Sequence, residues 1–238
     1  MVSYPRFAPV GDSALTVEFG DIVDPDVNAR VIAFDRVVAA SDVPGIIETV
    51  PSFRSLLVVY EPELMSFQLL VEALAELLAP GLQSRAVEGR SWTIPVAYGA
   101  PNDDDIREVA AAKGLTTDQV IDIHSSGDYQ VYLIGFVPGL PVLGGLPEAL
   151  QIPRRAAPRH GLPTGRVMIG GVQGLIVPMP MPTGYHSLGV TPARPYMPGR
   201  TNPFLFRTGD KIRFRPISLR ELDVLSHVPS EHFLNRGE

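Results

Sequence analysis

The sequence contains no cysteine, which excludes disulfide bonds, thiolate metal sites and a cysteine nucleophile. It also lacks any apolar run of the roughly 20 residues that a membrane-spanning helix needs. The opening MVSYPRFAPVGDSAL lacks the basic and then apolar pattern of a signal peptide. The formal net charge of −6 argues against the basic surface that general nucleic-acid binding requires. We therefore expect a cytoplasmic protein with no membrane or nucleic-acid partner.

Familiar catalytic and cofactor motifs are missing too. The five histidines show neither HxxxH nor HxH spacing, so no metal site is predicted. No serine lies in a G-x-S-x-G elbow, which argues against a serine hydrolase. The segment Gly135–Gly145 is rich in glycine but lacks both the Walker Gly-Lys-Ser/Thr ending and the strand–GxGxxG–helix context of a phosphate loop.

The first third of the chain has regular strand and helix patterns, with residues such as Leu15, Val17 and Phe19 alternating with polar ones. Asp24-Pro25 and Ser66 are typical helix starts. The order β-α-β-β-α-β suits a ferredoxin-like split βαβ unit, although the last strand can belong to either side of a polar segment. The predicted elements are strands near Leu15–Phe19, Ile46–Val50, Phe53–Tyr60 and Ser91–Tyr98, helices from Asp24 to about Ala40 and from Ser66 to about Leu77, and the polar segment Gly81–Gly89.

The second part of the chain is dense in glycine and proline, which supply 26 of the 75 residues from Gly135 to Gly209. Because Val, Ile, Leu and Phe are interleaved with them, the pattern indicates short strands joined by tight turns, since a disordered segment would lack those apolar residues. Two short helices precede this region, one opening at Asp103 or Asp104 and one with a capping box at Thr116 and Gln119. We predict domains over residues 1–88 and 89–238.

His124 lies where the second of these helices ends. A histidine there can act as an acid, a base or an orienting donor, because its free pKa is near neutrality. The alternative is a helix-terminal histidine that hydrogen-bonds the last carbonyls and favours the negative end of the helix. Spacing alone favours this second, structural interpretation.

Arginines cluster in the proline-framed segment PRRAAPRH, at Arg154, Arg155 and Arg159. Guanidinium groups on a pre-ordered loop can clamp a carboxylate or phosphate through paired hydrogen bonds. The alternative is a set of surface arginines, and the two interpretations are about equally supported. Nearby, Gly171 and Gln173 follow a strand. The glycine permits close approach of a ligand, and the Gln173 side chain can hydrogen-bond the amide of a ligand. A simple hairpin turn is the favoured explanation.

At these segments the chain resembles the family of the 5-oxoprolinase B subunit, also called allophanate hydrolase subunit 1 and related to a sporulation-kinase inhibitor. The resemblance covers about residues 7–217. It rests on the segments GDSALTVEFG, DPDVNARV and ETVPSFRSLLVVYEP in the first domain, and on IPVAYG, HSSGDYQVYLIGFVPGLPVLGGLP, PRRAAPRHGLPTGRV and TGDKIRFRPI in the second.

The resemblance implies an α+β protein with a ferredoxin-like N-terminal domain and a cyclophilin-like β-barrel C-terminal domain. It further implies an ATP-dependent amidohydrolase complex that acts on a small amide or lactam with a partner of the C-subunit family, ATP being held by the complex or by this chain. Regulatory inhibition of a histidine kinase, or non-catalytic support of a biotin-dependent carboxyltransferase-like complex, is the alternative. The implied site residues are His124 and Gln173 for catalysis and Arg154, Arg159, Phe136 and Gly171 for substrate binding.

Several positions depart from the family pattern. Family members usually read GFPYLGGL, QTGIYP and PGGW near segments that here contain GLPVLGGL, QGLIVP and PTGY. An arginine usual before the Thr-Pro pair is absent, and an arginine stands where the PxGSV motif has serine. A buried site that loses hydroxyl groups can no longer form the same hydrogen bonds to a ligand. We therefore expect a divergent member with a different, more apolar substrate, or one that has lost catalysis. These positions are Leu140, Val142, Arg166, Gly174, Val177, Tyr185 and Val190.

Overall fold

A computed structural model of the chain describes residues 3–79, 81, 89–99 and 105–235. The chain divides into two compact units, residues 1–88 and 89–238. The structure describes the first of the two predicted short helices from Asp105 to Lys113, whereas its predicted opening residues Asp103 and Asp104 lie outside the described residues. Most of the polar segment Gly81–Gly89 lies outside them as well. Across the described part, no helix combines the length and apolar character needed to cross a membrane.

The first unit is an antiparallel sheet with two helices. Its sheet has the strand order β1-β2-β4-β3. Apolar residues from the sheet and both helices form one core, among them Leu15, Val17, Phe34, Leu56 and Leu70. The elements are β1 (Arg6–Val10), β2 (Ala14–Glu18), α1 (Pro25–Ala39), β3 (Ile46–Pro51), β4 (Ser55–Tyr60) and α2 (Phe67–Leu78).

Both helices begin as their capping residues predict. The Asp24 side chain accepts hydrogen bonds from the backbone N–H groups of Asp26 and Val27, and Pro25 is the first helical residue of α1. Ser66 accepts from the backbone of Leu69 at the start of α2. These capping contacts lie within a few residues of each helix start, where the sequence predicts them.

The strand order of this sheet shows which unit contains the strand at Ser91–Tyr98, a point that the sequence leaves open. Strand β4 lies between β2 and β3 and is antiparallel to both, as a split βαβ unit requires. The outer place beside β2 is taken by β1, from the N-terminal side, and not by the strand at Ser91–Tyr98. The α+β class is therefore confirmed, while the ferredoxin-like type of this unit stays a prediction.

The second unit is a closed barrel with the strand order β10-β5-β11-β6-β7-β9-β8. Neighbouring strands are antiparallel except β5 and β11, which run parallel. The predicted barrel is confirmed, and its cyclophilin-like type stays a prediction. The elements are β5 (Ser91–Tyr98), α3 (Asp105–Lys113), α4 (Thr117–Ser126), β6 (Tyr129–Ile134), β7 (Pro141–Gly144), β8 (Arg166–Gly170), β9 (Gln173–Ile176), β10 (His186–Val190), β11 (Lys211–Pro216) and α5 (Leu219–Leu225), with 3₁₀ turns at Glu148–Leu150 and Ser230–Phe233.

Asp210, in the turn that leads into β11, links the start of β5 to the start of β11. Its carboxylate is 2% exposed and accepts hydrogen bonds from the Arg90 backbone and side chain, the Trp92 indole N–H and the Arg207 backbone. Buried charge is costly unless it is paired and hydrogen-bonded, and here both oxygens are. This turn residue therefore closes the parallel pair of strands in the barrel.

Candidate functional site

Backbone hydrogen bonds hold the arginine-bearing segment against two others. The N–H of Gly171 donates to the Ile152 carbonyl at 2.6 Å, and that of Arg155 donates to the Gly184 carbonyl at 2.7 Å. Arg159 and Thr183 exchange two further backbone hydrogen bonds, at 2.8 and 2.9 Å. These contacts place Arg154 beside the turn between β8 and β9 and beside the segment that leads into β10.

Arg154, Gln173 and Tyr185 form the candidate site, which we call the Arg154 cluster. The Arg154 guanidinium donates to the Gln173 side-chain oxygen at 2.9 Å and to the Tyr185 hydroxyl at 2.5 Å. Its central carbon also lies 4.5 Å from the centre of the Tyr185 ring, a cation–π arrangement. The Tyr185 hydroxyl in turn donates to Gln173. The structure therefore brings together two residues predicted separately for the site.

The charge states in this cluster leave donors available for a ligand. Burial raises the pKa of the Tyr185 hydroxyl above its usual value, although Arg154 opposes the rise, so the phenol stays neutral and donates. Since the Gln173 oxygen already accepts from both neighbours, its NH₂ group is the part left to contact a ligand. Arg154 is exposed and keeps further N–H donors. The cluster can therefore bind a carbonyl or carboxylate oxygen.

Arg159 is held differently from Arg154. Arg155 and Arg159 both pair with Asp105, at the start of α3, and Arg155 also pairs with Glu108. Asp105 is 2% exposed and accepts a further hydrogen bond from the Ser187 backbone at 2.8 Å. These contacts give Arg159 a structural role, because they tie the arginine-bearing segment to α3. Its predicted substrate-binding role stays a prediction.

Sequence reasoning missed Asp105 and His186. His186 is 7% exposed, and its Nε2 donates to the Pro153 carbonyl at 3.1 Å, which supports the peptide bond before Arg154. An aspartate in the first turn of a helix and a histidine in a strand are common, so neither gives a signal on its own. Only the folded arrangement shows that both hold the segment carrying Arg154.

His124, on α4, is buried against three aromatic side chains of the barrel strands. It is fully buried, stacks on Phe214 with ring centres 4.6 Å apart and packs against Tyr129. The Tyr98 hydroxyl and the His124 Nδ1 share a hydrogen bond of 2.7 Å, and the Nε2 of His124 has no partner within the described residues. The contacts support a structural role, although through Tyr98 and not through the helix carbonyls we expected. Its catalytic role stays a prediction.

The buried His124 predicts a pH dependence of stability. Burial lowers its pKa from 6.5 to about 3 in the folded protein. Below about pH 6.5 the His124 imidazole is protonated in the unfolded chain but stays neutral in the folded protein. The contribution of the neutral His124 to the free energy of unfolding is therefore fully present above that pH and is lost as the pH falls toward 3. We expect a loss of about 1.4 kcal/mol per pH unit there, measured by urea unfolding followed through Trp92 fluorescence.

Two variants check this assignment. His124→Gln removes the group that is protonated only on unfolding, so the free energy of unfolding should depend less on pH between pH 6 and 4. His160→Gln, at an exposed position, should leave that dependence unchanged. An unchanged slope in His124→Gln would mean that other groups cause the acid instability.

Phe136 and Gly171 each adopt left-handed backbone conformations. Phe136, with φ of 71°, is 78% exposed in the loop between β6 and β7. Gly171, with φ of 61°, makes the tight turn of the β8–β9 hairpin, so the favoured hairpin interpretation is confirmed. A non-glycine residue in this region is uncommon and worth attention. The predicted substrate contacts of both residues stay predictions.

The positions that depart from the family pattern are mostly interior. Leu140, Val142 and Val177 are buried, so the tyrosine hydroxyls of the family pattern, at the positions of Val142 and Val177, are lost from buried positions. Arg166, on β8, and Val190, on β10, are paired residues in the sheet. The arginine at position 166, where the family pattern has serine, therefore lies directly across from Val190, where the family usually has arginine. Among the departures, Tyr185 is the one that joins the Arg154 cluster.

A family comparison decides where the chain belongs. The model of the carboxyltransferase domain, subdomain C and D, matches residues 5–206. The chain belongs to this family. The carboxyltransferase-domain match agrees with the predicted resemblance, which is confirmed.

Relatives in this family carry a more specific name. The 5-oxoprolinase B subunit of Bacillus subtilis is 36% identical over 222 residues, covering 89% of this chain and 92% of that protein. The 5-oxoprolinase B subunit of Escherichia coli O157:H7 is 40% identical over 178 residues, covering 74% of this chain and 80% of that protein.

Solved structures share the fold. The crystal structure of TTHA0988 superposes with a TM-score of 0.76 at 35% identity, covering 86% of this chain. This chain spans only 40% of the TTHA0988 chain. Kluyveromyces lactis urea carboxylase gives a TM-score of 0.79 over 94% of this chain and 23% of its own, and at 19% identity it shows the fold alone.

Proposed function

We propose that this chain is one subunit of a cytoplasmic, ATP-dependent amidohydrolase complex that acts on a small amide or lactam together with a partner of the C-subunit type. The observation that carries the proposal is the set of relatives named as the B subunit of 5-oxoprolinase, 34–40% identical over most of the chain. The name describes one part of an assembly, and a reaction on a cyclic amide.

The Arg154 cluster supplies groups suited to such a substrate. The Gln173 NH₂ group can donate to an amide carbonyl, where negative charge develops as the bond is attacked. Arg154, oriented by the Tyr185 ring, can hold a carboxylate of the same molecule. Neither residue is a nucleophile, so in the proposed mechanism the Arg154 cluster binds and orients the substrate, and the attacking group comes from outside this cluster.

We place ATP on the complex and not on this chain. The Gly135–Gly145 loop contains no lysine or arginine, and Arg155 and Arg159 are engaged by Asp105. Neither that loop nor these two arginines therefore offer free cations to a triphosphate, and no step of the proposed mechanism passes through ATP bound here.

Substitutions in the Arg154 cluster should lower turnover by the complex. We expect Arg154→Ala and Gln173→Ala each to reduce kcat/KM for the amide or lactam about 10- to 100-fold, because each removes a hydrogen bond to a charged or polarised substrate group. The measurement is substrate-dependent ATP hydrolysis by the complex co-purified from the native host, with 5-oxoproline and other small lactams as substrates.

The matched controls are Arg213→Ala, which removes an exposed arginine paired with an exposed aspartate, and Gln68→Ala in the first unit. Both should retain full turnover. Unchanged kinetics in the Arg154 and Gln173 variants would place the substrate elsewhere. A complex that hydrolyses ATP with none of these substrates would overturn the proposed function itself.

The family match favours a second candidate, in which the chain supports a carboxyltransferase-like complex without binding substrate. In that case omission of this chain should abolish turnover by the partner, while both alanine variants leave it intact.

A further inference from the structure

A second candidate binding site lies away from the Arg154 cluster, between the end of β10 and α5. It is a cavity of about 250 Å³. Much of its wall is apolar, from Val190, Pro192, Ala193 and Leu222. Drug-sized ligands occupy pockets of about 300–1,000 Å³, so this cavity suits a smaller molecule with a compact apolar body.

One cation lies at this cavity without an ion-pair partner. Arg194 is exposed, and its backbone N–H donates to the Ser230 hydroxyl at 3.0 Å. Its guanidinium makes no hydrogen bond or ion pair to any residue that the structure describes. Two acidic residues of the same C-terminal part of the chain pair with other arginines, Glu221 with Arg215 and Glu231 with Arg200. The guanidinium is thus available to an anionic ligand.

A hydroxyl donor lines the same cavity. Thr191 is 4% exposed, and its oxygen accepts a hydrogen bond from the Ala193 backbone at 3.2 Å. A hydroxyl that accepts one bond still has its own O–H to donate. The cavity therefore combines apolar walls, one buried donor and one cation.

We propose that this cavity binds a small branched or cyclic aliphatic monocarboxylate. The apolar walls enclose the hydrocarbon part, and Arg194 with Thr191 donates to the carboxylate. A dianion such as phosphate is disfavoured, because the lining offers a single cation and mostly apolar contacts. The site is independent of the proposed amidohydrolase reaction and can act as a separate ligand site of the chain.

The test is a titration of the ¹⁵N-labelled full chain with isobutyrate and cyclobutanecarboxylate, followed through the amide signals of Thr191 and Ala193. We expect saturable shifts, and at least tenfold weaker binding of isobutyramide, which has the same shape without the charge. Arg194→Gln should weaken isobutyrate binding about tenfold, and Val190→Phe should abolish it by filling the cavity.

Arg220→Gln is the matched control, since Arg220 is exposed on α5 and does not line the cavity. It should bind isobutyrate like the unaltered chain. Absence of saturable shifts, equal binding in Arg194→Gln, or equal binding of isobutyramide would each overturn the proposal. Because the measurement needs neither partner nor turnover, its outcome is distinct from that of the proposed function.

Discussion

Asp210→Asn is expected to lower the free energy of unfolding of the barrel unit by about 3 kcal/mol. Both carboxylate oxygens accept hydrogen bonds from Arg90, Trp92 and the Arg207 backbone, and the group is 2% exposed. An asparagine offers one acceptor oxygen and turns an NH₂ group toward donors on the other side. The substitution therefore leaves buried donors unpaired and removes the charge that balances Arg90.

The measurement is urea unfolding followed through Trp92, which is the single tryptophan of the chain and lies in the barrel. The control is Asp128→Asn, which alters an ion pair with Arg213 whose side chains are 78% and 73% exposed, and which should change stability by less than about 1 kcal/mol. Equal midpoints for the two variants would show that Asp210 does not hold the barrel closed.

The helices that sequence reasoning placed correctly are those with local signals. Asp24-Pro25, Ser66 and the capping box of Thr116 and Gln119 each satisfy backbone N–H groups within a few residues, so the signal and the contact lie in the same short segment. The sequence also predicts strand β4, because every second residue of the strand is buried and the alternation is visible in the sequence.

Partners of distant strands could not be predicted in the same way. Ser91–Tyr98 is apolar enough for either domain, and its parallel partner Lys211–Pro216 lies more than a hundred residues later. Two further strands, β7 and β10, contain proline or glycine and so lack the alternation that marks a strand. Pairing across such separations depends on closure of the whole barrel.

The candidate site shows the same limit. Arg154 and Gln173 were predicted because their residue types suit an amide or carboxylate, and the fold brings them within 2.9 Å of each other. The residues that position them give no comparable signal: Asp105 is an ordinary first-turn acid in the sequence, and its partners lie some fifty residues away. The ligand groups that a side chain can bind can be predicted from its residue type, whereas the contacts that hold the side chain in place depend on the fold.

Asp105→Asn is expected to lower the free energy of unfolding by about 3–5 kcal/mol, since removing one partner of a buried ion pair leaves the other uncompensated. The carboxylate pairs with both Arg155 and Arg159 and accepts from the Ser187 backbone. Arg154 lies in the same segment, so loss of these contacts should also weaken ligand binding at the Arg154 cluster by about tenfold.

Glu108→Gln provides the matched control, because Glu108 also pairs with Arg155 but is 54% exposed. We expect it to change stability by less than about 1 kcal/mol and to leave substrate binding intact.

The two readouts, stability and KM, separate the possible roles of Asp105. A loss of stability with unchanged KM in conditions where the variant is folded would make Asp105 purely structural, whereas a raised KM under those conditions would make it a positioning residue for Arg154. Unaltered stability would contradict the assignment of Asp105 as the group that ties this segment to α3, since two guanidinium groups and a buried N–H would then have lost their shared partner without cost.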